Sequence, residues 1–501
     1  MSKLSFLART SILIFFLFLL NEIISLVRIV IISRRYADSV ELLDTFNAAN
    51  NLPDVLFALI SGGALAMAFI PLMSQYLTTK GRAAAWDLFS RVANLAFVLT
   101  GSIAIIVVIF AEQIVASEIG IAPGFGAEQR ALLAELMRLN LVGTIIFSIS
   151  GLVMASLQAN QHFLLPALAP TLYNVGQIFG AIFLVPRYGI HGLVYGVIIG
   201  AALHLLVQVP ALFKYEFRWT PALDLRHTGV IEALRLLGPR LFTMFGIQLI
   251  VIARDNLASR LDQVGAVTSL TYGWMIMQTP ETLLGTAIAT AMLPTLAEMA
   301  TREDWDEFRA TIERALRVLI ALTLPVAAIM AAGINPLVRL VFGFDEATST
   351  LLTWTTRAYL LTLTGYCIQE IAARSFYARR EPLFPLYGVI LRLALFISIG
   401  TAGITLFRQI GAPVIAFAEI ALLIESIVLF TWLSKRTQQP LRVSTAVLRG
   451  MAAALLGGVT AYLVAVYAPG SAVWTALLGM VMGGLVALPL IWSEIKLLLK
   501  L

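Results

Sequence analysis

The sequence predicts an all-α integral membrane protein of about fourteen transmembrane helices, built as two parallel six-helix repeats plus two C-terminal helices. Three observations carry this: the composition, the recurrence of long apolar runs, and an internal repeat. The chain has 501 residues, of which 59% are hydrophobic and only 13% charged, with a mean hydropathy of +0.89. A soluble domain carries about 25% charged residues. Runs long enough to cross a bilayer, roughly 20 residues each, fall at 11–33, 45–78, 88–111, 131–157, 164–186, 189–213, 232–254, 265–297, 315–342, 350–376, 383–407, 411–434, 443–467 and 473–495. In hydrocarbon every backbone N–H and C=O needs a partner inside the protein, which leaves helices or a closed barrel. Runs such as 103–110 do not alternate in polarity, so these are helices.

The first run is read as a span. It is too long for the apolar core of a signal peptide and has no small-residue cleavage site after it. Most of the 35 lysines and arginines fall in the loops that are inside when the N-terminus is inside. The positive-inside rule therefore expects both termini in the cytoplasm. Pro53, Pro71, Pro170, Pro239, Pro280, Pro294 and Pro325 lie within the runs. Such breaks are tolerated where a neighbouring helix or a water-filled cavity satisfies the freed groups, as along a transport pathway.

The repeat is legible in matched segments. Pro53-Asp54-Val55-Leu56 corresponds to Pro280-Glu281-Thr282-Leu283, and Pro71 to Pro294. Trp86-Asp87-Leu88-Phe89 corresponds to Trp305-Asp306-Glu307-Phe308, and Ala159 with Pro166 to Ala378 with Pro385. Six spans per copy is an even number, so both copies share one orientation and are related by an axis along the membrane normal. The expected organisation is 1–222 for the first half, 223–438 for the second, and 439–501 for the two last helices.

Several function classes drop out. Cys367 is the single cysteine, and His162, His191, His204 and His227 are scattered, so no metal cage is spelled out. There is no phosphate-binding loop, dinucleotide turn, HExxH or GxSxG. An enzyme is not expected, nor a cofactor. Energy would come from an ion gradient (Na+ or H+), the membrane potential or the substrate gradient. The net charge of +6 is dispersed over short loops, so no nucleic-acid partner is expected.

Polar residues inside the spans mark the candidate pathway, because a charge at mid-membrane costs on the order of 2.5–3.5 kcal/mol and normally faces a cavity or a partner. Span one holds Glu22 and Arg28. Span two holds Asp44, then Asn47, Asn50, Asn51 and Asp54 at the three-to-four spacing of one helical face. Span seven holds Arg240 and Gln248, and span eight Gln278 and Glu281. These spans are repeat-equivalent, so a central cavity lined by both halves is expected. The competing reading is interhelical glue. Weaker polar spots are Arg138 with Asn140, Asn174 with Gln177, His204 with Gln208, and Glu370 with Arg374. Gly192, Gly196 and Gly200 form a small-residue ridge for close helix packing.

These residues resemble the lipid II flippases, the MurJ (MviN) family within the superfamily of multidrug, oligosaccharidyl-lipid and polysaccharide exporters. The likeness runs through Val27-Arg28, Ala37-Asp38-Ser39, Asp44-Thr45-Phe46, Leu52-Pro53-Asp54, Ser61-Gly62-Gly63-Ala64 and Ala68-Phe69-Ile70-Pro71. It continues in Ile121-Ala122-Pro123-Gly124-Phe125, Gln248, Asn256-Leu257-Ala258-Ser259, Tyr272, Gln278-Thr279-Pro280 and Arg374-Ser375-Phe376-Tyr377-Ala378. The resemblance implies alternating access by two halves in the bacterial cytoplasmic membrane. An undecaprenyl-diphosphate-linked peptidoglycan precursor would pass from the inner to the outer leaflet while its tail stays in bilayer lipid. Cell-wall synthesis machinery is the implied protein partner, and peptidoglycan biosynthesis and cell shape the implied role. Arg28 would bind the diphosphate, with Asp44 or Glu22 holding it between turnovers.

The chain departs from the family pattern at the cavity. Asn51, Phe57 with Ala58, and Met275 stand where typical members carry arginine, and Gly62 stands for an acidic residue. The family's sodium site does not carry over, since span eleven shows Arg392 and no Asn/Asp pair. Two alternatives therefore stay open: a sister transporter for another polysaccharide lipid or amphipathic compound, and a transport-dead membrane scaffold.

Overall fold

The computed structural model describes residues 6–61, 64–436 and 440–498, and every described element is a helix. Packing divides the chain into two compact units, Met1–Asn256 and Leu257–Leu501. This divide falls at the end of the seventh span, later than the repeat boundary at 222 read from the sequence. Val230 and Ala233 of the long seventh helix join the apolar cluster of the first unit.

The first unit contains α1 (Phe6–Arg35), α2 (Val40–Leu56), α3 (Ala64–Thr79), α4 (Arg82–Ala116) and α5 (Ala127–Ala159). It continues with α6 (Leu164–Phe179), α7 (Val185–Tyr188), α8 (His191–Leu206), α9 (Val209–Lys214) and α10 (Thr228–Ser259). Widened π-turns at Phe57–Ser61 and Gly180–Leu184 interrupt the second and fifth spans. The first follows Pro53, whose missing N–H and ring disturb the ladder one turn back. Such π-turns recur at functional sites. The second span is thus two helices around a break, and Gly62 lies outside the described residues.

α1 packs on α6, α2 on α5, and α5 on α4 and α8. α6 and α8 approach most closely, through glycines. A Cβ placed on Gly176 would sit 2.3 Å from the Gly200 Cα, and one on Gly180 2.5 Å from the Gly196 Cα. Without a hydrophobic drive between helices in lipid, such backbone contact is what holds them. Gly180→Val should therefore lower the melting temperature in detergent, by the equivalent of about 1–3 kcal/mol or more. Gly101→Val, with nothing within 4 Å of its new carbon, should leave it unchanged; equal melting of the two variants would refute the close-packing account.

At the head of α4, Trp86 is 1% exposed. Its indole N–H donates to the Tyr215 carbonyl at 2.8 Å, and its ring stands edge-on to Phe89 and Phe217. Asn94 donates to the carbonyls of Thr220 and Ala222, which ties down the segment before α10.

The second unit contains α11 (Ala266–Glu281), α12 (Ala287–Thr301), α13 (Trp305–Phe342), α14 (Glu346–Leu360) and α15 (Leu363–Ala378). It ends with α16 (Leu383–Leu406), α17 (Ala412–Phe417), α18 (Ile420–Arg436), α19 (Ser444–Tyr467) and α20 (Ala472–Leu498). A π-turn at Thr282–Thr286 follows Pro280, the counterpart of the one after Pro53. Trp305 packs edge-on to Phe308, as Trp86 does to Phe89. α13 starts ten residues before the apolar run because Asp304 caps it, accepting from the Glu307 N–H. α15 lies against α13 and α18, and α16 against α18. α19 and α20 pack on each other and on α13, where the carbon of a Cβ on Gly483 would fall 2.5 Å from the Gly457 carbonyl oxygen.

Among the described residues, 11 helices are long and apolar enough to cross a membrane. They correspond to spans three to nine and eleven to fourteen. The remaining three runs are also helical. Span one lies within α1, span two is broken at its π-turn, and span ten is rich in threonine. Buried threonines of span ten return their hydroxyls to their own helix, as Thr353 does to Ser349 and Thr356 to Leu352. That makes a polar sequence compatible with an apolar setting, and fourteen spans compatible with the fold.

Candidate substrate pathway

The polar face of α2 divides in two. Asn50 donates to the Phe46 carbonyl at 3.0 Å and accepts from Asn140 of α5 at 2.8 Å. Asn51 is 6% exposed and donates to the Asp255 carboxylate of α10 at 2.7 Å. The other oxygen of Asp255, itself fully buried, accepts from Arg254 Nε at 2.7 Å. These residues fasten α2 to its neighbours. Asn47 is half-buried and Asp44 buried. Asp54, two turns below Asn47, is exposed although Pro53 and Val55 beside it are buried.

Arg28 is the cation that acts on Asp54, and Tyr173 of α6 feels both charges. Asp54 is therefore an acid beside Arg28, a role for which the sequence reading named Asp44 or Glu22. Asp44 is enclosed in the packed head of α2, and Glu22 is exposed. The Arg28 side chain is half-buried, and its Nε is buried without a hydrogen-bond partner. Two turns away on the same face of α1, Asn21 accepts from Asn174 of α6 at 3.1 Å. Arg28, Asp54 and Tyr173 therefore form one cluster drawn from three helices. Its wall is aromatic: Phe57 stands edge-on to Phe147 at 5.0 Å, and Phe147 to Tyr173 at 5.0 Å.

Two other polar groups of this unit are internally satisfied. His204, 7% exposed, shares a hydrogen bond of 2.6 Å with Ser150, which also accepts from Gln208. Arg138 pairs with Glu112. Gln248 is half-buried on α10, and the Arg240 side chain lies outside the described residues.

In the second unit Glu281, 7% exposed, accepts from the hydroxyls of Thr282 and Thr286. Nearby, Arg374 pairs with Glu370 at 3.0 Å and donates to the Thr286 carbonyl. Gln278 is half-buried one turn earlier. The π-turn exposes the carbonyl and hydroxyl of Thr286 to these partners. Sequence reasoning missed Arg254 and Asp255, two opposite charges adjoining in an apolar run, which was the available signal. It also missed Tyr173, for which a tyrosine among apolar residues gave none.

A guanidinium with an unfilled donor, an exposed carboxylate beside it and a phenol can exchange partners. Such a fork is suited to an anion such as a phosphate, because charge-assisted and bidentate bonds to phosphate are strong. Among the described residues no cluster of His, Cys, Asp and Glu is arranged to hold a metal. The fold and this cluster define a polytopic helical membrane transporter. Residues 39–482 match the family described as lipid II flippase MurJ. The lipid II flippase MurJ of Burkholderia cenocepacia is 30% identical over 83% of this chain and 82% of its own. A probable lipid II flippase MurJ of Vibrio cholerae is 25% identical over 74% and 73%. Among solved structures, an inward closed lipid II flippase MurJ superposes with a TM-score of 0.80 at 21% identity, over 97% of this chain and 98% of that one. An inward-facing MATE-family multidrug transporter gives 0.72 at 15%, over 83% and 94%. The chain belongs to the lipid II flippase MurJ family and is a multi-pass protein of the bacterial inner membrane.

Proposed function

We propose that this protein carries lipid II, or a closely related undecaprenyl-diphosphate precursor, from the inner to the outer leaflet by alternating access. The observation that carries the reading is the family match over nearly the whole chain. The Arg28–Asp54–Tyr173 cluster supports it by supplying a diphosphate-binding group in the first unit. The protein acts as a transporter with no catalytic step. Both termini are cytoplasmic, bilayer lipid holds the polyprenyl tail, and cell-wall synthesis enzymes receive the product. A second reading, export of another polyprenyl-diphosphate glycan, is favoured by Phe57 and Asn51 in place of basic residues.

Rescue of flippase-depleted cells tests the first reading. Growth and restored lipid II externalisation are expected. Normal expression without rescue, combined with export of a different lipid-linked glycan, would overturn it in favour of the second. Single-cysteine labelling checks the topology. Cys367 is fully buried, so the wild-type background should be low. Trp86 is buried too, so exposed Lys80 and Arg302 are the better reporters of the two inner Trp-Asp loops, and Gly124 of the outer loop. Cysteine at 80 or 302 should label only from inside and at 124 only from outside; the reverse pattern would invert the topology.

A further inference from the structure

Deep in the second unit a carboxyl group sits with nothing to bond. Glu425 of α18 is fully buried, and neither of its carboxyl oxygens has a hydrogen-bond partner. It packs against Gly388 of α16, where a Cβ would lie 2.9 Å from its Oε1. One turn along α16, Arg392 is 6% exposed. Its Nε and Nη2 donate to Glu419 Oε2 at 3.2 and 2.8 Å, and Nη2 also to the Tyr366 hydroxyl of α15 at 2.7 Å. Arg392 and Glu419 are the charges that act on Glu425, and Tyr366 is the remaining titratable group of the cluster. Further along α15, Cys367 belongs to the apolar cluster with Leu429 and Leu433.

The charge count decides the protonation. The cluster holds two carboxyl groups and one guanidinium, and the guanidinium is already committed to Glu419. A second carboxylate buried with no protein partner would be an uncompensated charge, which proteins avoid by neutralising the group. Gly388 is what makes room for the carboxyl, since any side chain there would press on it. The helix is also broken beside this cluster: α17 ends at Phe417 and α18 starts at Ile420. Glu419, the acid to which Arg392 is hydrogen-bonded, sits on that break.

We infer that Glu425 is a proton-binding site and that the proton is the coupling ion of this transporter. In this state the carboxyl is occupied by a proton. When the break at Ala418–Glu419 moves and Arg392 changes partner, the carboxyl O–H gives its proton to water on one face of the membrane. The carboxylate then pairs with Arg392, and it is reloaded by a proton from water on the other face. This deepens the transport reading and rests on it.

The test uses the full-length protein in proteoliposomes, in sodium-free buffer. Infrared spectroscopy reads the site itself. A protonated-carboxyl band should be present in the wild type at neutral pH, disappear on alkaline titration, and be absent in Glu425→Gln and in Glu425→Met. Transport reads the coupling. With one proton per substrate, each pH unit across the membrane should shift the steady-state distribution of a flipped polyprenyl-diphosphate lipid about tenfold. In both variants the distribution should ignore the gradient. A band that survives in both variants would overturn the site. A band that belongs to Glu425, with transport that ignores pH or follows a sodium gradient instead, would overturn the coupling. Should both variants fail to fold, the wild-type titration decides: no carboxyl band at neutral pH overturns the proposal. Failure of lipid II rescue with the proton response intact would fault only the substrate.

Discussion

Arg28→Ala should abolish flipping while leaving the protein inserted and folded, and Arg28→Lys should retain only a small part of it. The guanidinium offers a planar fork to two phosphate oxygens, whereas an ammonium on a flexible stem offers a point charge. Hydrogen bonds to charged groups are worth about 1.5–3 kcal/mol, so losing one arm of the fork weakens substrate binding by roughly 10- to 100-fold. The structure adds a second variant. Asp54 competes for Arg28, so Asp54→Asn should tighten binding of the diphosphate and slow its release. The opposing account makes Arg28 a structural partner of Asp54. Breaking such a pair costs about 3–5 kcal/mol when buried, and Asp54→Asn would then restore the folded protein lost in Arg28→Ala. Expression and thermal stability, measured beside lipid II externalisation, separate the two. Full transport by a well-expressed Arg28→Ala protein would remove the residue from the pathway.

Glu494→Ala should be the most damaging single change to the last two helices. Glu494 of α20 is fully buried and accepts from Arg317 of α13 through two bonds of 3.0 Å. Arg449 of α19 donates to it at 2.8 Å and also bonds Ser493. One carboxylate thus joins α13, α19 and α20, and its removal leaves two arginines facing each other. The loss should lie toward the lower end of about 3–5 kcal/mol, because side chains of Arg317 and Arg449 are 29% and 47% exposed and water recovers part of their solvation. Glu494→Gln keeps an acceptor and should cost less. Thermal unfolding in detergent reads the order of the variants, with wild type above Glu494→Gln above Glu494→Ala. An unchanged melting temperature in Glu494→Ala would mean that α20 is held by its glycine and alanine contacts alone.

Hydropathy and period make the helices legible before any coordinates, because the bilayer admits so few backbone solutions. The prolines and the two Trp-Asp segments mark where the long runs bend and where α4 and α13 begin. The polar face of α2 is equally legible from the spacing of Asn47, Asn50, Asn51 and Asp54. Its meaning is not. Three-to-four spacing says that these side chains share a face, and says nothing of what lies opposite. Asn50 and Asn51 turn out to be bonded to Asn140 and Asp255, while Asp54 alone on that stripe is exposed and acts with Arg28.

The sequence by itself determined the membrane class, the helical runs, the family likeness and the short roster of intramembrane polar groups. These follow from local quantities: hydropathy, period, breakers and motif spacing. Tertiary structure decided the pairings: Asp54 with Arg28, Arg254 with Asp255 and Asn51, Arg392 with Glu419, and Glu425 with nothing. Apart from the adjacent Arg254 and Asp255, the partners come from different segments of the chain, 27 positions apart for Arg392 and Glu419 and 204 for Asn51 and Asp255. A charge buried in protein is governed by the nearest opposite charge and the donors within about 3 Å, and only the packing of helices brings those to hand.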